Sequence, residues 1–110
     1  MAKISTMTTK GLSGREYSFS VYPMGQEFRE VGGVYVVTRR YKNDAGEYKH
    51  VFVYIGETGD FSTRFINHHK ARCFQNHKAT CICTLIEEDQ DARLAVEDDL
   101  VKQHDPPCNG

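Results

Sequence analysis

Residues 33–55 read GVYVVTRRYKNDAGEYKHVFVYI. Val34-Tyr35-Val36-Val37-Thr38 and Val51-Phe52-Val53-Tyr54-Ile55 are β-branched or aromatic at every position, a composition that suits a pleated, half-buried surface. Asn43-Asp44-Ala45-Gly46 between them carries turn chemistry. The stretch therefore predicts a β-hairpin. A turn centred between Asp44 and Ala45 sets Tyr35 directly opposite Tyr54, with both rings on one face of the sheet and Cβ atoms about 5 Å apart.

Upstream, residues 1–15 are polar and rich in Thr, Ser, Gly and Lys, and we expect a loose leader there, with a single domain over residues 16–110. Tyr17-Ser18-Phe19-Ser20-Val21-Tyr22 alternates and predicts a strand ending at Pro23. Downstream, Thr58-Gly59-Asp60 breaks the second hairpin strand and offers Asp60 as a helix N-cap. Phe61 to about Arg72 then reads as a helix, and Thr80 to Ile86 as a further strand. Asp89 to about Gln103 is the strongest helical stretch. Its acidic residues lie at the start and Lys102 near the end, as the helix dipole prefers, and Asp105-Pro106-Pro107 stops it. The order β–β–β–α–β–α argues for a mixed α/β (α+β) domain, a small antiparallel sheet flanked by helices.

The composition fits one small core: 110 residues, 39% hydrophobic and 26% charged. No stretch approaches the roughly 20 apolar residues of a membrane span, and the N-terminus lacks the apolar run of an export signal. We expect a protein away from membranes, in the cytoplasm, whose Cys73, Cys81, Cys83 and Cys108 are reduced thiols serving as small buried hydrophobes. Cys81-Ile82-Cys83 lacks the spacing of a zinc knuckle, so a zinc site recruiting His77 or His104 is the less favoured reading.

A net charge of −1 hides an asymmetry. Residues 31–80 hold eight basic against four acidic side chains, and residues 81–110 hold two against eight. From Phe61 to Thr80 every formal charge is positive, and three histidines lie among them. Lys70, Arg72 and Lys78 in this run are candidate nucleic-acid contacts, with ordinary solvated surface as the plain alternative.

Three further positions carry chemistry. Arg64 and His68, four residues apart, would project from one face of a continuous helix, where a guanidinium can grip phosphate oxygens and an imidazole can move a proton. On the last helix Ala92, Ala95, Val96 and Leu100 define the expected core stripe, with Glu97 at its edge and Asp98 and Asp99 solvated. A carboxylate at such an edge must be paired, protonated or bound to a cation. Asn109 lies beyond the two prolines, where the chain can fold back.

Taken in order, these residues resemble the GIY-YIG nuclease superfamily. Gly33-Val34-Tyr35 is similar to its first signature, with Val for Ile, and Tyr54-Ile55-Gly56 matches the second. Tyr54 to Arg64 looks like the passage from second strand to catalytic arginine. His68 falls where a subset of these enzymes carries histidine or tyrosine. Ala95 to Val101, then Pro106-Pro107-Cys108-Asn109, resembles the segment with the metal-binding glutamate and the late asparagine. The similarity spans residues 33–109, and six elements in order are hard to obtain by chance.

The resemblance implies a metal-dependent endonuclease. Tyr35, Tyr54, Arg64, His68, Glu97 and Asn109 would form its catalytic set, and Glu97 would be the ligand of one Mg²⁺ or Mn²⁺. Tyr35 and His68 compete for the role of base. The partner would be double-stranded or branched DNA, in repair or recombination, with a homodimer or a protein partner supplying specificity. A catalytically silent nucleic-acid-binding module of the same fold and a restriction or mobile-element nuclease are the alternatives.

Overall fold

The hairpin is present, with one irregularity that matters. In the computed structural model, which describes residues 2–110, strands β3 (Gly33–Lys42) and β4 (Tyr48–Thr58) pair antiparallel, and the register shifts between Val37 and Thr38. Val37 faces Tyr54 while Thr38 faces Phe52, leaving Val53 as an extra, bulged residue. Tyr35 therefore lies opposite Gly56, and the expected direct Tyr35–Tyr54 pairing is replaced by a diagonal one. A one-residue insertion reverses the side-chain alternation beyond it. Phe52 and Ile55 face one side of the sheet, while Val53 and Tyr54 both face the other. The bulge is what brings Tyr54 onto the face of Tyr35.

Strand β2 (Glu16–Pro23) and strand β5 (Cys81–Ile86) complete the middle of the sheet, much as their alternation predicted. Residues 1–15 hold an element the sequence reading missed. Ser5–Lys10 forms an edge strand, β1, paired with β2 from Ser5↔Val21 to Lys10↔Glu16. Its polar composition disguised it, because only Met7 turns into the core. Asp99, expected to be solvated, secures the connecting turn by accepting from the Ser13 amide at 2.8 Å, the Ser13 hydroxyl at 2.7 Å and the Tyr17 hydroxyl at 2.8 Å. The five strands run β1-β2-β5-β3-β4, all antiparallel, and the fold is α+β.

Helices cover both faces. Helix α3 (Gln90–His104), capped by the Asp89 side chain on the Ala92 amide, lies on the face of Val34, Val36 and Ile55. Its core contribution is narrower than expected: Leu100 is fully buried and Val96 and Val101 partly so, whereas Ala95 is exposed. The opposite face packs Tyr35, Val37, Val53 and Ile82 against Phe61, Phe74 and Cys108.

The expected helix over residues 61–72 is two short helices. Asp60 caps the first, α1 (Phe61–Arg64), through its bond to the Ser62 amide. The helix then stops, Asn67 takes a left-handed backbone (φ 52°), and α2 (Ala71–Asn76) begins afresh. Asparagine tolerates that conformation better than most residues. Arg64 and His68 thus do not share a helical face; the break turns His68 inward instead.

The four cysteines divide. Cys81 and Cys83 are buried free thiols on one face, as expected, and burial pushes the Cys83 thiol up to about 12. Cys73 on α2 and Cys108 are joined in a disulfide, contrary to the reduced state we expected.

Candidate active site

The two hairpin tyrosines stand on the α1–α2 face with ring centroids 5.9 Å apart. Tyr35 is fully buried, and Phe65 meets its ring edge-on at 4.9 Å. The pairing needs Gly56. A Cβ there would lie 2.5 Å from Tyr35 Cζ, so any side chain would push the phenol out of place. Gly33 is constrained in the same way by the Leu85 carbonyl and the Phe61 ring. Gly56 thus makes room for Tyr35, and Gly33 for the first ring of the helix that follows.

The turn between α1 and α2 brings His68 under these rings. Its Nε2 lies 2.7 Å from the Tyr35 hydroxyl, and its Nδ1 accepts from the Lys70 amide at 3.0 Å. A backbone N–H can only donate, so Nδ1 bears a lone pair. The neutral ring therefore carries its proton on Nε2 and donates to Tyr35 Oη. Burial, then Arg64, His69 and Lys70, lower the His68 pKa to about 4. At neutral pH His68 is uncharged and orients Tyr35. The Tyr35 hydroxyl is itself held above the usual phenol value, first by burial and then by Tyr54, with Arg64 pulling the other way.

Arg64, the last residue of α1, sits with its guanidinium carbon 5.8 Å from the Tyr35 ring centroid and its Nη2 3.5 Å from His69 Nδ1. Glu97, half-buried on α3, has its pKa raised by burial and then by Glu57 and Asp98, while the Glu57 backbone and the Arg64 guanidinium oppose the rise. No cationic side chain forms an ion pair with Glu97 among the described residues. An unpaired, half-desolvated carboxylate is a chemically suitable single ligand for a hydrated hard cation such as Mg²⁺ or Mn²⁺. Among the described residues the one cluster of three potential ligands is Cys73, His77 and Cys108, and its two sulfurs are already joined. The zinc reading falls with that bond.

Two members of the site were less legible. Asn109 does not reach toward Glu97. Its Oδ1 accepts from the Ile55 amide at 2.9 Å and its Nδ2 donates to the Ile55 carbonyl at 2.8 Å. Strand β4 is a sheet edge, so Ile55 has unpaired backbone groups there, and Asn109 satisfies both. Arg93 was missed as a site residue. It is buried, pairs with Glu57 at 2.9 Å and donates to the Glu88 carbonyl at 2.8 Å. Its position one helical turn before Glu97, with an acid directly after the second signature, was the available signal. The Glu57–Arg93 pair removes Glu57 from competition for a cation at Glu97. Of the proposed nucleic-acid contacts, Arg72 and Lys78 are exposed on and just after α2, and Lys70 is half-buried at its N-terminus.

No protein-family model, curated protein or solved structure matches this chain. The functional reading therefore rests on motif order and site chemistry. No helix among the described residues is long and apolar enough to cross a membrane.

Proposed function

We propose that the chain is a divalent-metal-dependent endonuclease that hydrolyses phosphodiester bonds in double-stranded or branched DNA. The observation that carries the reading is the convergence of four residues from separate parts of the chain. Tyr35, Tyr54, Arg64 and His68 meet on one face, and Arg64 also lies within electrostatic reach of the unpaired Glu97. These are the residues that the resemblance to GIY-YIG nucleases singles out.

In this reading Arg64 grips the scissile phosphate and neutralises charge that grows on its oxygens. Tyr35, oriented by His68, accepts the proton of the attacking water in its ionised form, its own hydroxyl hydrogen having gone to solvent beforehand. The water oxygen forms a bond to phosphorus, one P–O ester bond breaks, and the departing oxygen ends protonated. Tyr54 orients water or phosphate beside it. Glu97 would hold the Mg²⁺ or Mn²⁺, which when bound supplies Lewis-acid stabilisation of the leaving oxygen. Asn109 acts as a positioning residue by fixing β4 at Ile55.

Exposed Arg72 and Lys78, with Lys70, would follow the DNA backbone. Repair or recombination on branched DNA suits a domain that carries its site on a small surface, with a homodimer or a protein partner adding selectivity. Cytoplasmic action belongs to the same proposal, and there the Cys73–Cys108 bond would meet thiol reductants. A catalytically silent nucleic-acid-binding module is the rival, favoured by one observation: neither Tyr35 nor His68 is poised near neutrality.

Incubating wild type and Glu97→Ala with supercoiled plasmid, flaps and branched DNAs in Mg²⁺, Mn²⁺ or EDTA decides between them. Metal-dependent nicking by wild type alone supports the nuclease. Binding without cleavage under every ion supports the module.

A further inference from the structure

The two edges of the curled sheet enclose an open groove of about 730 Å³, on the α3 face, away from Tyr35 and His68. Residues from β1 form one wall, the outer half of the β3–β4 hairpin forms the other, and the end of α3 closes it. None of its lining side chains is acidic. Arg40, Lys49, His50 and His104 line it together with the aromatic rings of Tyr48 and Phe52.

The aromatic and cationic groups are interleaved. The Arg40 guanidinium lies 3.7 Å from the centroid of the Tyr48 ring, and Lys42 approaches the same ring at 5.8 Å. Arg40 forms no ion pair among the described residues, and its Nε is buried without a hydrogen-bond partner. Tyr48 is 54% exposed. A cation stacked on an exposed ring, with no carboxylate to neutralise it, is unusual for a structural device, because most buried donors find acceptors. On the floor the Phe52 and His104 rings lie 4.4 Å apart, and His104 Nε2 donates to the Lys10 carbonyl at 3.0 Å. The floor is thus fixed, while the Arg40–Tyr48 wall is open to a ligand.

We propose that this groove is a second nucleic-acid site, which takes a single-stranded segment by stacking a base on Tyr48 and holding its phosphates with Arg40 and Lys49. Exposed rings flanked by cations are how sequence-tolerant single-strand sites work. The proposal extends the nuclease reading: a branched substrate offers duplex to the Tyr35 face and a free strand to the opposite face.

The test measures binding of a fluorescent oligothymidylate of about a dozen nucleotides, a length suited to one such groove, to the full chain in EDTA. Tyr48→Ala should weaken binding about tenfold, the effect of losing one stacked base, and Tyr48→Phe should retain it. Arg40→Gln and Lys49→Gln should each weaken binding and reduce the salt slope by about 0.7. An abasic phosphodiester of equal length should bind more weakly and be indifferent to Tyr48→Ala. Near-UV circular dichroism reports whether each variant keeps its fold.

Wild-type affinity in both Tyr48→Ala and Arg40→Gln overturns the proposal, as does equal loss in Tyr48→Phe and Tyr48→Ala. Absence of oligonucleotide binding by wild type also overturns it. Its failure is separable from that of the nuclease reading. Metal-dependent cleavage of plain duplex, unchanged in Tyr48→Ala, upholds the nuclease whatever the groove does; groove-dependent strand binding without any cleavage removes the nuclease and keeps the groove.

Discussion

The Lys70 amide fixes the tautomer of His68, and through it the direction of the hydrogen bond to Tyr35. The ring accepts on Nδ1 and is 2.7 Å from Tyr35 Oη through Nε2. It can therefore give a hydrogen bond to the phenol and cannot, in this arrangement, take its proton. That favours Tyr35 over His68 as the group that receives the water's proton, a choice the sequence left open.

A pH–rate profile should reflect this. With its pKa lowered to about 4, His68 stays neutral throughout the neutral range. Tyr35 is raised above the ordinary phenol value, so its basic form grows tenfold per pH unit below that value. We expect metal-dependent kcat/KM to climb from about pH 6 to about pH 9 with no histidine inflection near 6.5. An inflection there that disappears in His68→Gln would return the base role to His68.

The same lowered pKa makes a stability prediction. Between about pH 6.5 and about pH 4 the unfolded chain binds a proton at His68 that the folded chain refuses, so stability falls as pH falls through that window. Allowing for partial solvent screening, the loss should be about 1–2 kcal/mol. Urea unfolding at the two ends of the window measures it. His68→Phe should flatten this part of the pH dependence, and an unchanged slope would show that His68 is not held neutral.

At Glu97 function and stability should part company. Its carboxylate pKa is raised, so the folded state binds a proton more readily than the unfolded one, and the ionised side chain lowers stability near neutral pH. Glu97→Gln keeps the shape and removes the charge. The variant should melt no lower than wild type while losing roughly 10²- to 10³-fold in cleavage rate. Arg64→Lys should lose a similar factor, because an ammonium cannot reproduce a bidentate guanidinium grip. Wild-type cleavage by a folded Glu97→Gln protein would remove Glu97 from the site.

Much of this architecture was legible because local pattern and tertiary use agree. The hairpin, the Asp60 cap and helix α3 all appear where β-branched runs, a capping residue and dipole-matched charges put them. Tyr35 and Tyr54 were expected on one face and share it, yet by way of the Val53 bulge, which no single-residue propensity encodes. The break at Asn67 was hidden because residues 61–72 are locally compatible with helix; the burial of His68 and Phe74 decides the turn. Strand β1 was hidden because an edge strand with one core residue looks like a polar leader. Arg93 and the Cys73–Cys108 bond were missed for a common reason. Each depends on a partner 35 or 36 residues away in sequence, brought near only by the finished fold.

The last prediction concerns the C-terminal tail, where Cys108 and Asn109 make adjacent attachments. Cys108 is tied to α2 through Cys73, and Asn109 clamps the backbone of Ile55, next to Tyr54 on β4. Closing a loop of this size stabilises a chain by about 3–4 kcal/mol in the entropic account. A thiol reductant should therefore lower the melting temperature of wild type by more than about 10 °C, and Cys73→Ser should show the same loss with no further response to reductant. Asn109→Ala leaves both Ile55 backbone groups without their partner and should cost roughly 1–3 kcal/mol. If the tail serves mainly to hold β4 in place, both changes should also slow cleavage. The rate should recover on cooling, when the tail docks again, which a lost catalytic group would not permit. Differential scanning calorimetry, run beside cleavage assays at two temperatures, separates those cases. An Asn109→Ala protein with unchanged melting and abolished activity would instead put Asn109 in contact with the substrate.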